Sequence, residues 1–285
     1  MGVRKPDFAG SWYPGRESEC IRAIEGFSSS AIPCPLESGD AIAGIVPHAG
    51  WYYSGQIAFS VLNCMRGDIS PDVFILFGRH LYPGSDNYIM KDGAWATPIG
   101  DLKIEQDIPE KLMSEFSFTV ETASDHEPDN TIELQLPFIK YLFPDTKILP
   151  LGVPPASGSI RIGERTAEIA ETLGLRILIL GSTDLTHYGI NYGNIPKGVG
   201  KEAVDWVKNE NDKRIILRML DMDPEGVIKE SLANANACCS GAVAAAIAAT
   251  RKIGGRMGKE LIYRTSYDVR PDDSFVGYAG IIYYK

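Results

Sequence analysis

The sequence lacks any apolar run long enough to cross a bilayer. The Ala-rich stretch at residues 237–249 is about 13 residues, whereas a transmembrane helix needs about 20. The first residues, "MGVRKPDFAGSWYPG", have no apolar core of the kind found in secretory signal peptides. We therefore expect a cytoplasmic protein with no membrane partner.

Clusters of basic side chains and a regular set of cysteines are also missing. There are 37 acidic and 28 basic residues, a net charge of -9, which disfavours nonspecific binding to nucleic acid or to an anionic membrane. The cysteine count is odd, at five, which argues against a disulfide framework. Any special cysteine is therefore expected to be catalytic or metal-binding.

No linker, charge block or internal repeat divides the chain, so residues 1–285 are expected to form one domain. Strand-like apolar runs alternate with helical segments, and several runs are continuous, as in strands covered on both faces. This predicts an α/β fold with a mixed, mostly parallel sheet, helices on both faces, and an antiparallel edge formed by the last two runs. Strands are predicted at residues 41–46, 73–77, 147–151, 175–180, 261–266 and 276–284, and helices at 17–27, 56–65, 132–142, 160–173, 201–220 and 238–250.

Histidine is scarce, yet three of the four histidines follow predicted strands within a few residues. His48 ends "AIAGIVPH", His80 ends "VFILFGRH" and His187 ends "ILILGSTDLTH". If those strands are parallel neighbours, the three rings meet at one edge of the sheet, where strand carboxyl ends open into a crevice. One such histidine is as readily a hydrogen-bonded loop residue, but three at equivalent positions indicate a metal or acid–base site.

Two thiols and a carboxylate are candidates for the same site. Cys238 and Cys239 stand at the predicted start of a helix, where the helix dipole favours a thiolate, although both could simply pack in the core. Neighbouring helical residues diverge by about 100°, so we expect one to be a ligand and the other to pack. Asp184 precedes His187 by three residues, and a helical turn there would let its carboxylate orient the imidazole. Alternatively, this polar loop caps a following turn.

The segment "HEPDNTIELQLPFI" runs from a polar loop into an amphipathic helix. Asp129 or Asn130 is placed to cap that helix, with Glu133 at the capping-box interval from Asn130. His126 lies in the preceding loop and is a candidate to line the crevice.

Six motifs, in order from Arg4 to Tyr284, resemble the Memo family, also called AmmeMemoRadiSam system protein B. They are "VRKPDFAGSWYPG", "PHAGWYYSG", "HEPDNTIELQLPFI", "GSTDLTHYG", "ACCSGAVAAAI" and "DDSFVGYAG". The resemblance implies a fold like the class III extradiol (LigB-type) dioxygenases, with a non-haem metal in a cleft. It also implies His48, His80 and Cys238 as metal ligands, and His187 as an acid–base histidine with Asp184 beside it.

Two positions depart from the family pattern. Asn130 stands where many members have histidine, and an amide cannot take up a proton. Cys239 stands where the family usually has glycine after its cysteine. The downstream "GAVAAAI" aligns Cys238 with the family cysteine and leaves Cys239 as a rival ligand.

Three functions agree with these residues. The leading hypothesis is a dioxygenase-like oxidoreductase, since two imidazoles and one anionic ligand are typical of non-haem iron sites, and a thiolate also suits copper or zinc. The second is a module that binds a peptide or protein in the cleft, with Trp51, Tyr52 and Tyr53 as contacts. The third is a zinc hydrolase. Arg79, beside His80, is the candidate for contacting a substrate carboxylate or oxyanion. The family name suggests AMMECR-type and radical SAM proteins as partners.

Overall fold

Strands and helices alternate along most of the chain. The computed structural model describes residues 2–68 and 70–285, and the bounds below refer to those residues. The strands are β1 (Val3–Arg4), β2 (Ala41–Val46), β3 (Val73–Gly78), β4 (Tyr88–Met90), β5 (Ala94–Thr97), β6 (Gly100–Lys103), β7 (Thr119–Glu121), β8 (Lys147–Gly152), β9 (Ile177–Ser182), β10 (His187–Tyr188), β11 (Met257–Thr265) and β12 (Phe275–Tyr284). The helices are α1 (Glu17–Ser29), α2 (Trp51–Cys64), α3 (Asp107–Glu115), α4 (Asn130–Glu133), α5 (Leu136–Leu142), α6 (Ser157–Thr172), α7 (Lys201–Trp206), α8 (Asp212–Leu220), α9 (Pro224–Asn234), α10 (Ser240–Lys252) and α11 (Ser266–Val269). A 3-10 turn spans Ile190–Tyr192, and a π-helical segment, Val207–Asn211, joins α7 to α8.

Nine of the described strands form one mixed sheet, in the order β10-β12-β2-β9-β3-β8-β4-β7, with β11 also paired to β12. The central strands β2, β9, β3 and β8 are parallel, as are β4 and β7, whereas β12 pairs antiparallel with β2 and β4 with β8. The predicted α/β fold with a mixed sheet is therefore confirmed. The last two apolar runs do pair antiparallel, but β12 lies inside the sheet, because it also pairs with β2 and β10. The strands β1, β5 and β6 form a separate small sheet.

Alternate residues of the central strands enter two different cores. On β3, Val73, Ile75 and Phe77 join the core formed with α6, α8 and α10, while Phe74 and Leu76 join the core formed with α1, α2 and α5. Successive side chains of a strand point to opposite faces, so a strand covered on both sides must be apolar at every position. This is why the strand sequences are continuous apolar runs instead of alternating ones.

Every predicted helix is present, although the one predicted at residues 201–220 contains the π-helical segment and three others differ in their bounds; α3, α9 and α11 were not predicted. α2 begins at Trp51, earlier than predicted. The segment predicted at residues 132–142 is divided into α4 and α5, with Pro137 in the first turn of α5, where its missing N–H breaks no helical hydrogen bond. α10 begins at Ser240, so Cys238 and Cys239 precede the helix.

The Ala-rich helix α10 is buried against α6 and the sheet. A methyl group added at Gly163 of α6 would overlap the carbonyl oxygen of Ala245 in α10. Small residues on both helices therefore allow their backbones to approach closely. No helix in the described part of the chain is long and apolar enough to cross a membrane.

One disulfide is present, between Cys34 and Cys64. It links the loop after α1 to the end of α2, across Cα atoms 5.2 Å apart. The sequence-based argument against disulfides is wrong for this pair, because an odd cysteine count does not prevent two cysteines from meeting in the fold. Cys20, Cys238 and Cys239 are free thiols.

Candidate metal centre

Three histidines meet where parallel strands end. His48 follows β2, His80 follows β3, and His187 follows β9, which lies between those two strands. All three line one cleft of about 550 Å³, together with Asn130 and Asp184. The topology thus brings together the rings that the sequence places after separate strands.

Two imidazoles and two thiols cluster beneath this cleft. One nitrogen or sulfur atom from each of His48, His80, Cys238 and Cys239 lies within 4.8 Å of all the others. The Cys238 Sγ is 3.3 Å from His48 Nε2, and the Cys239 Sγ is 3.6 Å from His80 Nδ1. Imidazole nitrogen and thiolate sulfur bind zinc, copper and iron at about 2.0–2.3 Å, so this donor set fits a single ion.

Both thiols reach the cluster because neither belongs to a helix. The divergence of about 100° applies to consecutive helical residues, and here α10 begins only at Ser240. The backbone N–H of Asp184 donates to the Cys238 Sγ at 3.3 Å, and the N–H of Cys239 donates to the Thr183 hydroxyl at 3.1 Å. The expectation that one cysteine packs away from the site is therefore not met.

Neighbouring charges shift the ionisation of these side chains. Burial alone lowers the pKa of an imidazole, but the Asp184 carboxylate and the Cys238 sulfur raise the pKa of His48 to about 9. Burial raises the pKa of a thiol, yet contacts with Cys239 and His48 hold the pKa of Cys238 well below its usual value. Burial, together with the adjacent Cys238 sulfur, raises the pKa of Cys239. Without metal, the cluster therefore favours an imidazolium–thiolate pair, and a metal ion that binds must displace the His48 proton.

Asn130 determines which nitrogen of His80 faces the thiols. Its amide nitrogen donates to the His48 carbonyl oxygen at 3.0 Å, and its Oδ1 lies 3.3 Å from His80 Nε2. A carbonyl oxygen can only accept, so the amide orientation is set, and Oδ1 requires a proton on Nε2. The neutral His80 ring then has its lone pair on Nδ1, beside the Cys239 Sγ. The amide thus leaves Nδ1 as the nitrogen of His80 that is free to bind a metal ion.

His48 is held from two directions. Its Nδ1 is 2.9 Å from the hydroxyl of Ser182, which leaves Nε2 facing Cys238. Its backbone N–H donates to Asp184 Oδ1 at 2.8 Å, and Oδ2 of Asp184 lies 4.0 Å from Nε2. Because residues 183–186 form no helical turn, Asp184 contacts His48 instead of orienting His187 as the spacing predicts.

His187 is half-buried in the cleft wall, with its ring against Tyr192 at 5.0 Å between centroids. Its Nδ1 lies 3.2 Å from the Leu185 carbonyl oxygen, which can only accept. In the neutral ring the proton is therefore on Nδ1 and the lone pair on Nε2. An imidazole in this form can accept a proton from a bound molecule.

A family model described as Memo-like protein matches residues 4–282. The chain belongs to the Memo-like family. A MEMO1 family protein of Pyrococcus abyssi is 34% identical over 293 residues, which cover 98% of this chain and 99% of that protein. One from Methanosarcina mazei is 30% identical over 292 residues and 99% of each chain. Among solved structures, an uncharacterized protein from Escherichia coli K12 matches 84% of this chain and 98% of its own, with a TM-score of 0.47 and 11% identity.

Arg79 of this Memo-like protein does not line the cleft. Its guanidinium donates to Glu121 at 2.7 Å and to Glu127 at 3.0 Å, and lies 3.8 Å from the centre of the Tyr88 ring. The backbone of Arg79 has a φ of 76°, in the left-handed region, and its N–H donates to the Thr131 hydroxyl. The sequence expectation that Arg79 contacts a substrate anion is therefore not met, because its charge is already paired elsewhere.

Trp51 and His126 also lie outside the cleft. Trp51 begins α2, stacks on Phe138 at 4.2 Å and donates its indole N–H to the Leu134 carbonyl oxygen. The His126 ring contacts the Thr122 carbonyl oxygen and the Asp7 carboxylate instead of the cleft. Trp51 is thus a core residue of this Memo-like protein, and His126 belongs to the loop before α4.

Aromatic residues form the rim of the Memo-like cleft, and the sequence reasoning identified only part of it. Tyr53 lines the cleft as predicted, and Tyr52 beside it is 72% exposed. Trp12 and Tyr192 also line the cleft but come from distant loops. No periodic pattern marks such loop residues. Ser182, which the sequence reasoning also missed as a contact of His48, could have been noticed as a polar residue ending an apolar strand.

Glu133 holds the N-terminal segment that carries Trp12 in place through hydrogen bonds. The Glu133 carboxylate accepts from the backbone N–H groups of Asp7 and Phe8, each at 2.8 Å, and from the Tyr13 hydroxyl at 3.1 Å. Burial is the main cause that raises the pKa of Glu133. Asp129 caps α4 alone, so Glu133 fixes one cleft wall instead of completing a capping box.

Proposed function

We propose that the protein is a dioxygenase-like, metal-dependent oxidoreductase whose ion is held by His48, His80 and Cys238. The observation that carries the proposal is the convergence of these three donors at the carboxyl ends of neighbouring strands, beneath an open cleft. Two imidazoles and one anionic ligand form a donor set that redox metals use in proteins. The ion is Fe(II) or copper, with zinc as the alternative.

When bound, such an ion supplies redox chemistry and Lewis acidity to a molecule in the cleft. The remaining tasks belong to the side chains. His187 accepts a proton at Nε2 from a substrate hydroxyl, since its Nδ1 is engaged with the Leu185 carbonyl oxygen. Asp184 holds the backbone of His48 in place and contributes negative charge beside its ring. Asn130 fixes the ring of His80.

The substrate is a small, uncharged organic molecule with an aromatic ring. The cleft has room for a molecule of this size and is lined by Tyr53, Tyr192 and Tyr278. Among the described residues that line it, none is Lys or Arg, so a substrate carboxylate or phosphate would lack a counter-charge except at the ion and its histidines. The proposal places the reaction in the cytoplasm, with AMMECR-type and radical SAM proteins as partners that copurification would test.

A second candidate function is a peptide-binding module that uses the same cleft without chemistry. The exposed rings of Trp12, Tyr52 and Tyr192 at the rim favour it, because exposed aromatic side chains are common anchors at recognition surfaces. Such a module would not need two imidazoles and a thiolate within bonding reach of one ion.

Metal analysis tests the leading proposal. Protein purified anaerobically without a His-tag should contain close to one iron or copper ion per chain by plasma mass spectrometry. His48→Ala and Cys238→Ser should lose it, whereas His187→Ala, a matched cleft histidine that is not a ligand, should retain it. No uptake by the wild type, even after anaerobic addition of Fe(II) or Cu(I), would contradict the proposal and leave the binding module.

A further inference from the structure

Cys239 lies where a fourth ligand would stand. Its Sγ is 3.6 Å from the Cys238 Sγ and 3.6 Å from His80 Nδ1, while the Cys238 Sγ is 3.3 Å from His48 Nε2. Donor atoms around a tetrahedral ion bound at about 2.0–2.3 Å are separated by about 3.3–3.8 Å. The three measured separations fall in that range, and all four donor atoms lie within 4.8 Å of one another, so modest shifts would bring them to the corners of one coordination shell.

The rest of the fold holds Cys239 in this position. Its backbone N–H donates to the Thr183 hydroxyl at 3.1 Å, and that hydroxyl donates to the Asp184 carbonyl oxygen at 2.8 Å. The loop between β9 and β10 therefore fixes both Cys239 and, through Asp184, the Cys238 thiol. Cys239 also packs in an apolar core, but its Sγ lies 3.6 Å from His80 Nδ1; Cys20, the other buried free cysteine, lies in the apolar core that contains Ile24.

We propose that Cys239 is a fourth protein ligand, so that this chain surrounds its metal with two imidazoles and two thiolates. The inference rests on the proposed metal centre and extends it, because three of the ligands are shared. It is a property of this chain's own sequence, since a glycine after Cys238 would supply no donor. A second thiolate would make the site softer, which favours Cu(I) or Zn(II) over Fe(II), and a molecule from the cleft would then bind as a fifth ligand.

Anaerobic titration with Co(II) tests the ligand count. Thiolate-to-cobalt charge-transfer absorption grows with the number of bound thiolates, and it is read without any substrate. The wild type should show a two-thiolate band, and Cys239→Ser should show about half of its intensity at saturating Co(II). Cys239→Gly should match Cys239→Ser while keeping the three-ligand set. Cys20→Ser is the matched control and should equal the wild type.

Chelator competition with Zn(II) gives a second readout. Loss of an outer-shell partner already weakens metal affinity about 10–100-fold, so loss of Cys239 as a direct ligand should weaken Zn(II) binding by more than about 100-fold. If Cys239→Ser and Cys239→Gly bind Co(II) with the same charge-transfer intensity as the wild type, Cys239 is not a ligand. The three-ligand centre would then remain. Failure of the wild type to bind Co(II) or Zn(II) would overturn both proposals.

Discussion

At the scale of single residues, the proposed metal centre would depend on side chains that contact no metal. Asn130 bridges the two histidines, donating to one backbone and accepting from the ring of the other. The Ser182 hydroxyl, at the end of β9, lies 2.9 Å from His48 Nδ1. The contact of Asn130 sets the tautomer of His80, and both contacts hold a ring in place, which would lower the cost of assembling a metal site. An amide serves this purpose although it cannot carry a proton.

Replacing Asn130 by leucine should therefore weaken metal binding by about 10–100-fold without unfolding the protein, because His80 Nε2 loses its acceptor and its tautomer is no longer set. Chelator competition measures the affinity, and circular dichroism monitors the fold. Asn87→Leu is the matched control, since Asn87 donates to the Ser117 carbonyl oxygen on the surface. An affinity equal to the wild type in Asn130→Leu would show that Asn130 does not orient His80.

At the scale of secondary structure elements, the site is positioned by the close contact of α10 with α6. The residues of α10 from Ser240 to Thr250 are buried, and α10 follows directly after the two cysteines. Gly163 of α6 is the position where a side chain would separate the two helices, because it faces the Ala245 carbonyl oxygen. Gly158, in the first turn of the same helix, has open space around it.

Gly163→Ala should lower the free energy of unfolding by about 1–3 kcal/mol, since the added methyl group must displace α10. Urea denaturation measures the change. Gly158→Ala introduces the same methyl group into the same helix and should leave stability unchanged or raise it by up to about 1 kcal/mol, because alanine favours a helix. Equal effects of the two substitutions would mean that helix propensity, and not the α6–α10 contact, decides the outcome.

At the scale of the whole molecule, several carboxyl groups are buried, and one of them, Asp212, lies where α8, β11 and the loop before β10 meet. Asp212 accepts from the Thr186 backbone N–H at 3.0 Å and from the Tyr263 hydroxyl at 2.7 Å. Burial raises the pKa of Asp212 to about 7, against the opposing effect of these hydrogen bonds. Thr186 precedes His187, so this carboxyl group supports the loop that carries the proposed acid–base residue.

The wild type should therefore lose stability relative to Asp212→Asn as pH rises from about 4 to about 7. Below its ordinary pKa of 3.8, Asp212 is protonated in both folded and unfolded chains. Above that value only the folded chain keeps the proton, so the free energy of unfolding falls as pH rises. The fall ends near the folded pKa of about 7 and amounts to about 4 kcal/mol in total. Urea denaturation of both proteins across this pH range measures the difference in their free energies of unfolding. The contributions of titrating groups that both proteins share cancel in that difference. Parallel stability profiles would contradict a buried, protonated Asp212.

The sequence by itself determined the alternation of strands and helices and the placement of histidines after three strands, because apolar periodicity and strand ends are local properties of the chain. It did not predict β1, β4, β5, β6, β7 and β10, since strands of two to four residues are too short to show a period. Tertiary structure alone decided that Arg79 pairs with Glu121 and that Asp184 contacts His48. It also decided that both thiols face one point. Such contacts join segments that are far apart in the chain. The direction in which each side chain points is set only when the sheet and its loops are assembled.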